Sequence, residues 1–265
     1  MPAALFALAF LAMSVATAQV TRDAPAYSAA TILNAASNDP DSLAPYTIIK
    51  INGTNLAWDS KSLRPSDVRN FMVPTVLPNT GVRVYVNNRA AGIFSVSPTQ
   101  IAALIPGDLL PGPAVVWTSL DGLSGVPVTV NLAPFGPGVF AQDATNLIVA
   151  RENGDLVTVD TPLHSGDKFV LHAVGLGQSD PPLMGLEIPA SLLPLDAQTV
   201  VAVYLNDNPI APALITNVGL VGGQAGVYQF TVQLPADASA DPELRIEVNG
   251  LKSPAGFKIL VRPAP

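Results

Sequence analysis

The chain has 265 residues, 26 of them Pro and 20 Gly, with 12% charged residues and a formal net charge of −7. Pro at that density removes donors and clashes with preceding turns, which excludes a bundle of long helices, while 49% hydrophobic residues supply enough apolar surface to exclude disorder. The acidic balance argues against nucleic acid, where Lys and Arg must replace condensed counterions, and the absence of Cys removes thiol nucleophiles, thiolate metal sites and disulfides.

The first elements concern export. Leu5 to Val15 is an apolar run, and Ala16-Thr17-Ala18 is an A-x-A cleavage signal, so residues 1–18 are predicted to be a signal peptide and Gln19 to begin the mature chain. No Lys or Arg precedes the run, and the alternative is a buried N-terminal helix. The run falls short of the roughly twenty apolar residues that a membrane span needs. No later stretch reaches that length without Pro, Gly or charge, so no membrane span is expected in the mature chain.

Residues 19–45 read as an extended lead-in carrying Asn38-Asp39-Pro40-Asp41. Strand signals follow at short spacing. Tyr46 to Ile51 is β-branched and ends at Asn52-Gly53. A short helix is expected over Ser66 to Phe71, with Ser66 as N-cap. Val82 to Val86 alternates and stops at Asn87-Asn88; Ile101 to Ile105 runs into Pro106-Gly107; Val115 to Thr118 stops at Asp121-Gly122; Val126 to Leu132 stops at Pro134. Runs of this length between turn residues are the signature of a sandwich.

The second half repeats the order at an offset of about 120 residues. Lys168 to Val174 precedes Gly175-Leu176-Gly177, Val201 to Leu205 precedes Asn206-Asp207, and Tyr228 to Pro235 mirrors Thr99 to Pro106. Arg245 to Leu251 is aligned with Val116 to Gly122, and Phe257 to Val261 closes the unit. Long insertions, 58–80 and 179–198, sit in matching places, the second as an irregular loop. Gly53, Gly175 and Gly177 are expected at positive φ. Gln100 and Gln229 are expected to be buried and to bond loop backbone. The join lies near Phe135 to Phe140, whose aromatics could pack it against a domain. The expected fold is all-β: a signal peptide (1–18), a lead-in (19–45), and two tandem immunoglobulin-like β-sandwich domains (46–141 and 142–265).

Ile51-Asn52-Gly53-Thr54-Asn55-Leu56 resembles the first-strand signature of IPT/TIG domains. Val96-Ser97-Pro98-Thr99-Gln100-Ile101 is similar to the "VSPTQIN" segment of a paralogous family of exported acidobacterial proteins with a C-terminal tandem module. Ala133 to Phe140 is similar to its "AP-x-x-PGIF" junction, Gly226-Val227-Tyr228-Gln229 to its "GLYQ" string and Ser253-Pro254-Ala255-Gly256 to its "SPAG" string. Ala102 and Ala173 depart from it, where Asn and Thr are usual. The resemblance covers roughly residues 30–263. It implies an immunoglobulin-like fold and export, and no activity.

No catalytic constellation is found, and no cofactor is expected. His164 and His172 offer at most two of the three or four ligands a metal needs; His164 reads as a turn residue and His172 as a strand residue. Ser124 stands in Gly-Leu-Ser-Gly, which is not a nucleophile elbow. Asp39 with Asp41, and Asp237 with Asp241, are candidate Ca²⁺ ligands, since hard cations want several oxygens. Trp58, in a loop, is the candidate for a ligand face, because sugar rings stack on exposed aromatics; Trp117 reads as core or half-core. The expected function is an exported, non-catalytic binding or interaction module at the surface of a bacterial cell or outside it. Its expected partner is an extracellular or envelope protein. The alternatives are a carbohydrate-binding module, with a polysaccharide partner, and a secreted hydrolase with an unmarked carboxylate site. A contiguous aromatic loop surface would favour sugar, a cleft with a perturbed carboxylate the enzyme, and an exposed apolar patch or strand edge a protein partner.

Overall fold

A computed structural model describes residues 23–262; the expected signal peptide and mature start lie outside the described residues. No α-helix occurs among the described residues, and none of their helical segments is long and apolar enough to cross a membrane.

In the first half the strands are β1 (Ile32–Asn34), β2 (Ile48–Asn52), β3 (Lys61–Ser62), β4 (Val82–Val86), β5 (Arg89–Ala90), β6 (Gly92–Val96), β7 (Gln100–Leu104), β8 (Gly112–Leu120), β9 (Leu123–Ser124) and β10 (Val128–Leu132). They form two antiparallel sheets ordered β1-β2-β7-β6-β3 and β10-β8-β4-β5, with β9 beside β8. Strands β2, β7 and β6 stand as B, E and D, and β10, β8 and β4 as G, F and C, which is the division of an immunoglobulin-like sandwich. The alternation explains the layers: Val82, Val84 and Val86 are buried between the sheets, while Arg83 is exposed on the outer face.

The second half contains β11 (Gly138–Val139), β12 (Val149–Arg151), β13 (Lys168–Val174), β14 (Leu193–Pro194), β15 (Val201–Leu205), β16 (Asn208–Pro209), β17 (Ile215–Leu220), β18 (Tyr228–Gln233), β19 (Leu244–Val248) and β20 (Leu251–Lys252). Its sheets are β11-β13-β18-β17-β14, with β12 also on β13, and β16-β15-β19-β20. Strands β13, β15, β17, β18 and β19 repeat B, C, D, E and F. The chain is thus all-β, with two tandem immunoglobulin-like sandwiches.

The turns follow from residue type. Asn87-Asn88 have φ of 47° and 60°, and Asn206-Asp207 have 48° and 62°. Two successive left-handed residues make a turn that suits the twist of a tight hairpin, and Asn and Asp tolerate that conformation best.

Several local expectations are corrected. Ile32–Asn34, within the expected lead-in, pairs with Ile48–Asn52, and Gly138–Val139 pairs with the second half across the expected boundary at 141. The expected helix over Ser66 to Phe71 is a single 3-10 turn, Pro65–Asp67. Its cap is not Ser66: the Asp67 carboxylate accepts the Arg64 backbone N–H at 3.0 Å, and left-handed Asn70 and Phe71 prevent any continuation. Gly53 is not at positive φ; it is Gly because a Cβ there would run into the Ala26 carbonyl oxygen. Val82 pairs with Leu120 and Val201 with Val248. Asn249-Gly250 therefore matches Asp121-Gly122, and the alignment shifts by one. Phe257 to Val261 forms only isolated bridges, because its backbone is shared between residues 145–163 on one side and 242–244 on the other.

One buried cluster fills the first sandwich, around Ile49, Ile51, Val84 and Ile101. The other surrounds Phe169, Tyr228 and Phe230, and it also takes in Tyr46, Val73 and Leu104 from the first half.

Candidate functional site

The second cluster crosses the junction because Tyr46 is turned into it. Tyr46 has φ of 60°, is 3% exposed, and its hydroxyl donates to the Glu187 carbonyl. Tyr228, fully buried, donates to the Gly177 carbonyl. Burial pushes both phenols well above the usual tyrosine value. Fourteen non-glycine residues have positive φ among the described residues, and all but Tyr46 and Phe71 are Asn or Asp. A bulky residue in this region is strained and persists only where its surroundings hold it. Both exceptions lie at the junction.

Backbone bonds hold the rest of the seam. The Val73 N–H donates to Leu186 O at 3.0 Å and the Ile188 N–H to Phe71 O at 2.7 Å, so the two matching insertions pair with each other. Gly107 N–H reaches Gly185 O at 2.8 Å, and the Gln178 amide reaches Gly107 O at 2.9 Å. Asn34, with no exposed surface, donates from Nδ2 to Ser42 O and Gly136 O and accepts from the Ala36 and Ser37 N–H groups. Gly136 N–H in turn reaches Gly175 O at 2.8 Å. Phe135 packs where a Cβ on Gly177 would sit, so the join is packed by an aromatic, as the sequence suggested.

Against this seam lies an apolar cleft of about 560 Å³. Ile48 and Phe94, on the outer face of the first sheet, form its floor. Phe71 and Val68 form one wall, and Ala225 and Val227, from the hairpin between β17 and β18, form the other. Among the described residues Arg64 is the only charged side chain lining it. Phe71 is 67% exposed although it is among the largest apolar side chains of the protein. Its wall is fixed by the bond from Ile188, and the size and interdomain position are those of ligand clefts.

The residues singled out in the sequence lie elsewhere. Trp58 is 41% exposed, and its indole N–H donates to Asp121 Oδ2 at 2.8 Å, joining two loops at the end of the first sandwich away from the junction. Trp117 stacks on Tyr85 across strands on an outer sheet face, with centroids 4.1 Å apart and planes 12° from parallel. In the second sandwich Arg245 faces Tyr204 in the same register, with Lys252 Nζ 3.8 Å from the Tyr204 ring centroid. The described aromatics do not make one loop surface.

Asp39 spends Oδ1 on the Asp41 N–H at 2.9 Å and Oδ2 on the Ser42 hydroxyl at 2.6 Å, as a turn residue does. Asp237 lies beside the β15–β16 hairpin, and Asp241 binds Arg262 at 2.6 Å. No group of three or more His, Cys, Asp or Glu suited to a metal occurs among the described residues. His164 is an exposed turn residue beside Asp167, and His172 is a half-buried strand residue whose pKa burial lowers. Gln100 is exposed and bonds the Asn52 side chain at 2.9 Å rather than loop backbone, which corrects the expectation of a buried amide.

The perturbed carboxylates are all moved down rather than up. The Asn146 amide, with backbone N–H groups of the same turn, holds Asp143 low. Burial opposes ionisation of Asp167, but the His164 N–H and Arg151 outweigh it. Arg262 holds Asp241 low. Each serves a local turn or ion pair. Because the folded pKa of each is below the ordinary 3.8, the stability it confers is fully present above that value and is lost as pH falls through the folded pKa. Thermal melts across pH should therefore decline gently below about pH 6.5, where unfolding frees the half-buried His172 to take up a proton, and more steeply below roughly pH 4 as these carboxylates protonate. Stability that rises as pH falls from roughly 7 to roughly 3 would contradict this.

No family model matches the chain, and no curated protein matches it. Solved structures that resemble it include a surface glycan-binding protein from Prevotella bryantii, at 11% identity and a TM-score of 0.29 over 89% of this chain and 42% of that one. Tandem Ig repeats of Dlar resemble it at 9% identity and a TM-score of 0.22, over 84% of this chain and 92% of that one. The titin domains z1z2, solved in complex with telethonin, resemble it at 12% identity and a TM-score of 0.23, over 92% of this chain and all of that one. The chain thus spans less than half of the glycan-binding protein's length. At TM-scores this low, the fold assignment rests on strand order and register instead.

Proposed function

We propose that the chain is a non-catalytic binding module, exported to the cell surface or beyond, that grips a protein partner through the apolar cleft between its two sandwiches. The apolar N-terminal run with its A-x-A signal, and the resemblance to exported acidobacterial tandem modules of IPT/TIG type, support the location. The observation that carries the binding site is Phe71, a large apolar side chain that is 67% exposed and left-handed at the mouth of the cleft. Strain and exposure together oppose folding, and a rigid scaffold tolerates such a residue where contact is its use.

Phe71→Asp separates the two roles. Asp accepts positive φ more readily, and little packed surface is lost, so the variant should melt at or slightly above wild type, by up to about 1 kcal/mol. In pull-downs with the full chain, one arm holds bacterial envelope extract and the other insoluble polysaccharides. Capture of an envelope protein should be lost in Phe71→Asp and kept in Trp58→Ala. Retention on a polysaccharide, abolished by Trp58→Ala and untouched by Phe71→Asp, would overturn the proposal in favour of carbohydrate binding.

A further inference from the structure

Resting on that reading, we infer that the segment received in the cleft is an acidic apolar peptide, whose large side chains fill the cleft and whose carboxylate is bound by Arg64. The charge argument is specific to this place. The protein carries a net −7, yet among the described residues lining the cleft the one charged group is a cation. Arg64 is exposed, and its guanidinium enters no ion pair among the described residues. Asp67, the acid of the same turn, spends a carboxylate oxygen on the Arg64 backbone N–H at 3.0 Å instead. A guanidinium presents a rigid fork of N–H donors that matches a carboxylate in two bonds. Once a peptide covers the apolar lining, such a bond is shielded from water and is stronger than on an open surface.

The overall charge does not select the acidic peptide; the contact at Arg64 does. An acidic peptide is repelled by the overall charge and gains only where Arg64 offsets it, so the contact fixes register more than it adds bulk attraction. A basic peptide is drawn to the protein in general but meets Arg64 at the cleft, which places like charges together. The Gln224 amide, the other long polar side chain at the cleft, is available to a passing peptide backbone.

The test is selection from a library of random dodecapeptides displayed on phage, with the full chain as bait. Enriched peptides are then synthesised and titrated against wild type, Phe71→Asp, Arg64→Glu and Arg64→Gln. Arg64 is exposed and its cap uses only backbone, so both Arg64 variants should keep the wild-type melting temperature. The expected result is enrichment of peptides with aromatic or aliphatic residues next to Asp or Glu. Their affinity should fall roughly tenfold or more in Arg64→Glu and less in Arg64→Gln. Selection against Arg64→Glu should reverse the charge preference. Apolar peptides with no acidic bias, lost in Phe71→Asp but indifferent to Arg64, would overturn this inference and leave the cleft as the binding site. Enrichment that does not depend on Phe71, or no enrichment, would overturn both.

Discussion

Asn34→Leu is expected to lower stability by about 4 kcal/mol, because it strands several buried polar groups at once. The Asn34 side chain makes four hydrogen bonds with no exposed surface: its amide donates to Ser42 O and Gly136 O, and its oxygen accepts from Ala36 and Ser37. Leucine fills a similar volume but satisfies none of these partners, and each buried polar group left alone costs about 1–3 kcal/mol. Partial relaxation toward water keeps the total below the simple sum. Asn34→Asp distinguishes a hydrogen-bond hub from simple packing. It keeps the acceptor and loses both donors, so at neutral pH a carboxylate oxygen faces two carbonyls. Protonation turns that oxygen into a donor, and Asn34→Asp should regain part of its loss on acidification. Urea unfolding at two pH values measures this; equal deficits at both would contradict the hub.

The second large effect is expected from Gly175→Ala. Gly175 has φ of +75°, where a side chain costs about 1–2 kcal/mol. A Cβ there would also overlap the Gly136 carbonyl, which is backbone and cannot swing aside. That carbonyl is the acceptor for Asn34, and the Gly136 N–H is bonded to the Gly175 carbonyl itself. Relieving the clash must pull the linker away from the second sandwich, so the total cost should reach about 3–5 kcal/mol, counting overpacking. The control is Gly154→Ala: Gly154 also has positive φ, at 90°, but no atom lies near its missing Cβ. It should cost only the conformational part, about 1–2 kcal/mol. Equal losses at the two sites would mean that the contact with Gly136 is not what holds the join.

How much of this was legible in the sequence depends on range. Val82–Val86 and Val201–Leu205 were readable because alternation and the Asn-rich turns after them are local signals. Gly175 and Gly177 were readable for the same reason, since the turn chemistry lies in the residue itself. Tyr46 and Phe71 were not. Their side chains belong to β-rich or helical patterns, and nothing local marks a left-handed aromatic; only the assembled junction imposes it. Asn34 is silent in the sequence because its partner Gly136 lies 102 residues away. Trp58 stands out there as an aromatic in a loop, although its indole is bonded to Asp121 across a loop pair. One signal pointed the right way: the long insertions at matching places in the two halves are the segments that meet, Phe71 to Val73 against Leu186 to Ile188.

Scanning calorimetry of the full chain tests the central claim most directly, namely that the sandwiches share a core across the junction and so hold the cleft in one shape. The shared cluster around Tyr46 and Tyr228 predicts a single transition whose calorimetric and van't Hoff enthalpies agree. It also predicts that Gly175→Ala, placed at the join, lowers or splits that transition. Two separate transitions in the wild-type chain, with only one moved by Gly175→Ala, would show that the halves unfold independently and would contradict the account.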